Sequence, residues 1–273
     1  MKLLTDLAIV LRVVPYEERH RIVTALSQNS GKISALAMNA VQSKRFGSAL
    51  EMFSAGDWHL VERAGQNLFR LDEAKIRRSF ENIRKNFETL TLASVFTELM
   101  IRLAPEGEPA PELFALHSNA LAVLDERAKT WTQDFTLPLL NSFLIKLLRW
   151  NGHQPQLTNC SQCHHPLEDL ELEMGATLLV EEAAWICSTC RPTTAHRGRV
   201  SMAGIQDLQN LHRIPIKHAL SFALTTPADQ KNIFNYLENL FAYHVPGFDK
   251  TQLKSLRFLG LESNPQSAAA SPL

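Results

Sequence analysis

Residues Leu7–Ala40 read LAIVLRVVPYEERHRIVTALSQNSGKISALAMNA, and the rest of the chain is interpreted outward from them. Leu7–Val14 is apolar and β-branched. Arg21–Leu26 and Lys32–Met38 flank the turn SQNSG, where Gly31 supplies the positive φ that a hairpin loop needs. Further on, Leu50–Val61 half-alternates between apolar and polar residues, and Leu68–Lys75 follows the turn ERAGQN. Five short strands before residue 80, with no helical period among them, predict a small β-barrel or sandwich.

The period then changes. From Phe80, the apolar residues Ile83, Phe87, Leu90, Phe96, Leu99 and Leu103 recur at three- and four-residue steps, the mark of an amphipathic helix. Pro105, Gly107, Pro109 and Pro111 stop it, and Pro111 opens a second helix that runs to about Arg127. Leu137–Trp150 is apolar almost all round, as a central helix would be, and Gly152 and Pro155 end it. Helix returns most clearly at Pro227–His244. The expected class is α+β: a β-barrel domain at 1–79, a helical domain at 80–262 with a cysteine module inserted at about 158–192, and a disordered polar tail at 263–273.

The zero net charge conceals a pattern. Residues 1–103 carry 15 Lys/Arg against 11 Asp/Glu, residues 104–186 carry 4 against 12, and residues 187–273 carry 9 against 5. Basic ends around an acidic middle suit a protein that meets a polyanion with part of its surface. No apolar run is long enough to span a bilayer. Asp6 and Arg12 interrupt the N-terminal apolar stretch, which argues against a signal peptide, so a cytoplasmic location is expected.

All four cysteines lie in Asn159–Cys190, with the spacing C-x2-C-x23-C-x2-C at Cys160, Cys163, Cys187 and Cys190. In a reducing compartment such pairs are metal or redox sites rather than disulfides. Two tight C-x-x-C turns present four thiolates to a tetrahedral zinc, and Met174–Val180 with Ala183–Ile186 supplies strands to bring the turns together. A closed four-sulfur site is structural. A redox role lacks the surrounding βαβ pattern, and a hydrolytic zinc using His164 or His165 needs an open coordination position.

No phosphate-binding loop, H-E-x-x-H or G-x-S-x-G occurs, and the chain is not expected to be an enzyme. The basic residues Arg12, Arg19, Arg21, Lys32, Lys44, Arg45, Arg63 and Arg70 fall at strand ends or loops of the β domain, and Phe46, Phe53 and Trp58 interleave with part of the set. Cations that track phosphates beside aromatic faces suit single-strand nucleic acid, although Phe53 and Trp58, each taken singly, suit a barrel core better. Lys44 and Arg45, beside Gly47 in SKRFG, are the leading pair. The competing reading is a zinc-stabilised adaptor that binds protein and no nucleic acid.

Several segments, taken in order, resemble the RecO family of bacterial recombination mediators: LRVVPYEERHRIVTALSQNSGKISALAMNA, QSKRFGSALEMFS, APEGEPAPELF, LLRWNGHQPQLTNCSQC and LKSLRFL, over about residues 7–259. The resemblance implies an N-terminal OB-fold, a helical domain and a four-cysteine zinc module at Cys160, Cys163, Cys187 and Cys190. It also implies binding of single- and double-stranded DNA, strand annealing, action with a RecR-like partner, recognition of the acidic C-terminal tail of single-strand-binding protein, and help in loading RecA during repair at the nucleoid. Family basic positions carry over to Arg12, Lys44 and Arg45. The chain departs from the family pattern in EERH after the PY pair, in His164 where a glycine is usual, and in Leu256 where a basic residue is common. For the acidic tail, Lys146, Arg149, Lys254 and Arg257 are the candidate cations.

Overall fold

The computed structural model describes residues 2–62, 68–172, 174–190, 198–221, 225–248 and 253–261. Five strands open the chain: β1 (Lys2–Tyr16), β2 (His20–Ser27), β3 (Gly31–Ala37), β4 (Ala55–Glu62) and β5 (Leu68–Arg78). They close into a barrel in the order β1-β2-β3-β5-β4, with β4 returning to β1. Only the β3–β5 pair is parallel. This is the five-stranded Greek-key ring of an OB-fold. Alternation sets the inside: Val10, Val23, Ala25, Ile33, Ala35, Ala37, Trp58, Leu60 and Leu71 pack together. The strand expected from Leu50 begins only at Ala55; Leu50 instead ends a short 3-10 turn, Gly47–Leu50, because Phe46, Ala49 and Leu50 fold into the barrel core.

Two local devices hold the β2–β3 turn. The buried Asp6 carboxylate on β1 accepts hydrogen bonds from the Ser27 hydroxyl, the Asn29 N–H (3.1 Å) and side-chain amide (2.9 Å), and the Ser30 hydroxyl (3.2 Å). A buried carboxylate is tolerable only when so many donors replace its water. Gly31 has φ +61° and lies so close to the loop after the first helix that an added Cβ would sit 2.1 Å from the Glu108 carbonyl oxygen. That loop in turn bonds to β3, through Lys32 N–H to Pro105 (2.7 Å) and Gly107 N–H to Lys32 (3.2 Å).

The helix expected from Phe80 begins later. Glu81–Lys85 is a 3-10 turn, and α1 (Phe87–Leu103) starts where the Asn86 side chain accepts from the Thr89 N–H at 3.1 Å. α2 (Pro111–Arg127) has proline in its first turn, as expected. By compactness the chain divides into Met1–Thr130, holding the barrel with α1 and α2, and Trp131–Leu273.

The second unit is built on α3 (Thr136–Trp150), α4 (Met202–Arg213) and α5 (Pro227–His244). Polar side chains join them: Asn141 donates to the Gln230 carbonyl (3.1 Å) and side chain (3.0 Å), and Gln230 donates to Asp207 (3.2 Å). Burial pushes the Asp207 carboxyl upward. A three-stranded sheet, β6 (Gly175–Leu179), β7 (Ala184–Cys187) and β8 (Arg199–Ser201), lies in the order β7-β6-β8. β8 and α4 were not separately legible in the sequence. The expected tail at 263–273 lies outside the described residues, as do residues 191–197 of the cysteine module's polar flank.

His117 on α2 is fully buried, and among the described residues neither ring nitrogen has a hydrogen-bond partner. Burial alone pushes its imidazolium down to about 3 from the ordinary 6.5. Between those values the unfolded chain binds a proton that the folded chain refuses, so stability falls as pH drops below 6.5, by about 1.4 kcal/mol per pH unit. In urea denaturation at about pH 7.5 and about pH 5, wild type should lose about 2 kcal/mol more than His117→Leu on acidification. Equal losses would show that the folded ring accepts a proton.

Candidate nucleic-acid interface and metal centre

A bulge governs the barrel's outer face. β1 pairs Val10 with Ala25 but Arg12 with Thr24, so one extra residue is inserted between them. Strict alternation would send Arg12 inward with Val10. The bulge turns it outward, beside Thr24 and Ser34, whose hydroxyls lie 3.2 Å apart. Arg12 lines a concavity of about 1100 Å³, with Thr24, Lys32, Ser34, Phe69 and Glu106 among its walls.

The other basic residues divide by what they touch. Lys32 is largely covered: its ammonium donates to the Ile101 carbonyl at 2.7 Å and pairs with Glu106 at 3.3 Å. Arg70 sits in β5, not in a loop, and grips Asp72 through two bonds of 2.7 and 3.1 Å. That pairing raises the pKa of its guanidinium and leaves little charge for a phosphate. Arg21 is half-buried in β2. Arg63 lies outside the described residues. Arg19, Lys44 and Arg45 are exposed, and the chain brings their segments together at one end of the barrel. The Val41 N–H donates to the Arg19 carbonyl (3.4 Å), and the Ala74 N–H to the Arg45 carbonyl (3.2 Å).

Of the two aromatic readings, the buried one holds for Phe53 and Trp58, and Phe46 is buried with them. Phe46 and Phe53 are each 2% exposed and Trp58 is fully buried, so none presents a face to a base. A barrel this small needs large rings inside to reach interior packing density.

In the second unit, the β6–β7 hairpin delivers Cys187 at its end, opposite Ala176. The Cys160–Cys163 turn is tied to the same hairpin by the Ser161 N–H, which donates to the Trp185 carbonyl at 2.9 Å. All four sulfurs lie within 4.8 Å of one another, all four cysteines are free thiols, and Cys163 Sγ is 3.8 Å from Cys187 Sγ. Thiolates about 2.3 Å from a tetrahedral zinc stand about 3.8 Å apart, so the donor set fits that ion. Burial opposes the Cys187 thiolate, but the Thr189 hydroxyl at 3.0 Å and the Cys190 N–H outweigh it and bring the thiol down to about 6. Its neighbours' sulfurs, Cys163 first, push Cys190 up to about 12. His164 and His165 are exposed and outside this cluster. His164 adopts φ +60°, the conformation a glycine takes at least cost, and its N–H closes the turn onto the Cys160 carbonyl at 3.0 Å.

Of the candidate cations in this unit, Lys146 turns inward. Its ammonium donates to the Leu211 carbonyl near the end of α4 and to Ser142 (3.3 Å). Burial, with repulsion from Arg149, pushes it down to about 8. Arg149 is exposed. Burial, then repulsion from Arg149, Lys146 and Arg213, lowers His212 as well. The ends of α3 and α4 thus form one cationic cluster that includes Arg213, a residue sequence reading missed because the two helix ends are far apart in the chain. Lys254 and Arg257 are exposed on the 3-10 segment Lys254–Leu259. An apolar hollow of about 620 Å³, lined by Phe135, Leu137, Pro138, Leu220 and Pro227, contains none of the four candidate cations. Among the described residues no helix is long and apolar enough to cross a membrane.

Comparison with known proteins agrees with this architecture. Residues 1–80 match the family description "Recombination protein O N terminal", and residues 84–254 match "Recombination protein O C terminal". A "DNA repair protein RecO" of Desulfatibacillum aliphaticivorans is 31% identical over 259 residues, covering 93% of this chain and 95% of the relative. That of Rhodopirellula baltica is 30% identical over 213 residues, 77% of this chain and 75% of the relative. That of Myxococcus xanthus is 36% identical over 159 residues, 58% and 62% of the two chains. The chain belongs to the RecO family of DNA repair and recombination proteins.

Proposed function

We propose that the chain is a recombination mediator that binds single- and double-stranded DNA and anneals complementary strands. With a RecR-like partner, it helps load RecA onto DNA coated by single-strand-binding protein. The observation that carries this reading is the convergence of Arg19, Lys44 and Arg45 at one end of an OB-type barrel in a chain of this family. We assign residues 1–79 to DNA, and residues 80–262 to partner binding with the cysteine module as a support.

The mechanism is electrostatic. Two strands approaching each other repel through their phosphates. Lysine and arginine side chains that neutralise phosphates release condensed counterions and lower that repulsion. Arg12 on the barrel face and Arg19, Lys44 and Arg45 at its end supply those charges, with Arg21, Lys32, Arg63 and Arg70 as the remaining candidates. Lys32 and Arg70 contribute least, since Glu106 and Asp72 already neutralise them. For the acidic tail of single-strand-binding protein, the cluster of Arg149, Arg213 and Lys146 is the favoured receptor, because mutual repulsion among cations is relieved by a bound anion. Cys160, Cys163, Cys187 and Cys190 would hold a structural zinc, which supplies cross-linking and no open coordination position.

The double variant Lys44→Ala/Arg45→Ala should weaken binding to all DNA sequences alike and reduce the salt slope for single strands by about 1.4. An unchanged slope, read by fluorescence anisotropy across a salt series, would remove that loop from the site. Cys187→Ser should bind less than the roughly one zinc per chain expected of wild type and melt several degrees lower, with the DNA affinity of folded protein near wild type. Atomic absorption and thermal denaturation decide this. Arg149→Ala with Arg213→Ala should weaken an acidic-tail peptide about tenfold and leave oligonucleotide binding intact. Equal peptide affinity would move the receptor elsewhere. Annealing of strands coated with single-strand-binding protein tests the whole reading: acceleration that fades with salt and requires the acidic tail supports it, and no acceleration at any salt refutes it.

A further inference from the structure

We infer that the outward face of β1, β2 and β3 is a base-stacking platform, with Tyr16 as its aromatic anchor, and that it takes the unpaired bases of a single strand. The inference rests on the DNA-binding reading and assigns which part of the strand this face receives.

The outer face of an antiparallel barrel strand is normally polar, because water covers it. Here it is not. Strand pairing sets Val14, Ile22 and Leu36 in one row, while their chain neighbours Val13, Val23 and Ala35 pack in the core. The next pair along is Tyr16 and His20. Tyr16 is 44% exposed, Met38 41% and Val41 57%. The loop after β3 is drawn against the β1–β2 turn by the Asn39 N–H, which donates to His20 Nδ1 at 2.9 Å, and by the Val41 N–H on the Arg19 carbonyl. Met38 and Val41 therefore stand at the same end of the barrel as Tyr16.

An exposed apolar patch of this kind marks a binding surface, and its surroundings indicate the occupant. Arg19, Lys44 and Arg45 are exposed at that end, and among the described residues no carboxylate forms an ion pair with them. Two carboxylates share the β1–β2 turn: Glu17, engaged by His20 at 3.3 Å, and Glu18. An apolar, aromatic-ended strip rimmed by cations without a carboxylate partner complements a ligand with flat apolar faces and a phosphate backbone, that is, a single strand. Duplex DNA keeps its base faces stacked inside, so it can use the cations but not the strip. Phe46, Phe53 and Trp58 are buried, which leaves Tyr16 as the barrel aromatic most open to a base. A strand that pairs with its complement must give up the strip, so the annealed product binds more weakly and leaves.

The test compares oligo-dT with a duplex of equal length by fluorescence anisotropy, at one low salt, using the full chain. Tyr16→Ala should lose about tenfold in affinity for oligo-dT and stay within about twofold for the duplex, while Tyr16→Phe and Tyr16→Trp hold the single-strand affinity. On the wild-type protein, a strand carrying 2-aminopurine should be quenched on binding through stacking, a readout that needs no variant to fold. If folded Tyr16→Ala weakens both DNAs equally, or neither, and 2-aminopurine is not quenched, stacking is overturned and the phosphate contacts stand alone. If the wild type binds neither DNA at low salt, the DNA-binding reading itself falls, and the platform with it.

Discussion

β1 has to serve two neighbours, and the first unit depends on how it does so. Its residues Lys2–Ile9 pair with β4 and its residues Ala8–Tyr16 pair with β2. A straight strand cannot follow both around a small ring. The extra residue between Val10 and Arg12 bends it at the changeover, where the Val10 N–H and carbonyl instead bond Ser54 and Phe53 at 3.0 and 3.1 Å. Closure removes the sheet's open edges. The same bulge reverses which side chains face out, so the step that closes the barrel also puts Arg12, Val14 and Tyr16 on its surface.

The second unit solves a different problem. Its small sheet has strands of five, four and three residues, too short to be stable without support. Two kinds of support are present. Helix α5 reaches the β6–β7 hairpin through His244, 2.7 Å from the Val180 carbonyl, and Tyr236, 3.4 Å from the Ala184 carbonyl. Four sulfurs converge at the hairpin's end, where they cannot all ionise side by side without a cation. A metal held there would fold the module and would offer no free position for a reaction, which fits the role proposed for the chain.

Most elements were legible because they follow from local rules. The hairpin around SQNSG, the helices at Pro111–Arg127 and Pro227–His244, and the two cysteine turns rest on alternation, proline placement and spacing. Where sequence reading failed, a non-local demand prevailed. Phe46 looked available beside Lys44 and Arg45, but a small barrel needs rings to fill it. Lys32 looked like a free cation until Glu106 from the loop after α1 was brought against it; Arg70 is the local exception, since Asp72 two residues along lies on the same face of β5. Lys146 looked like a cation available to an acidic partner and instead satisfies a carbonyl near the end of α4.

The sequence by itself determined the periodicities, the cysteine spacing and the family, since each depends on residues close together in the chain or in a fixed order. Only the tertiary structure decided which charges remain unneutralised and which of the barrel's aromatics are exposed. Those properties depend on which distant segments meet, and a single bulged residue is enough to exchange the two faces of a strand.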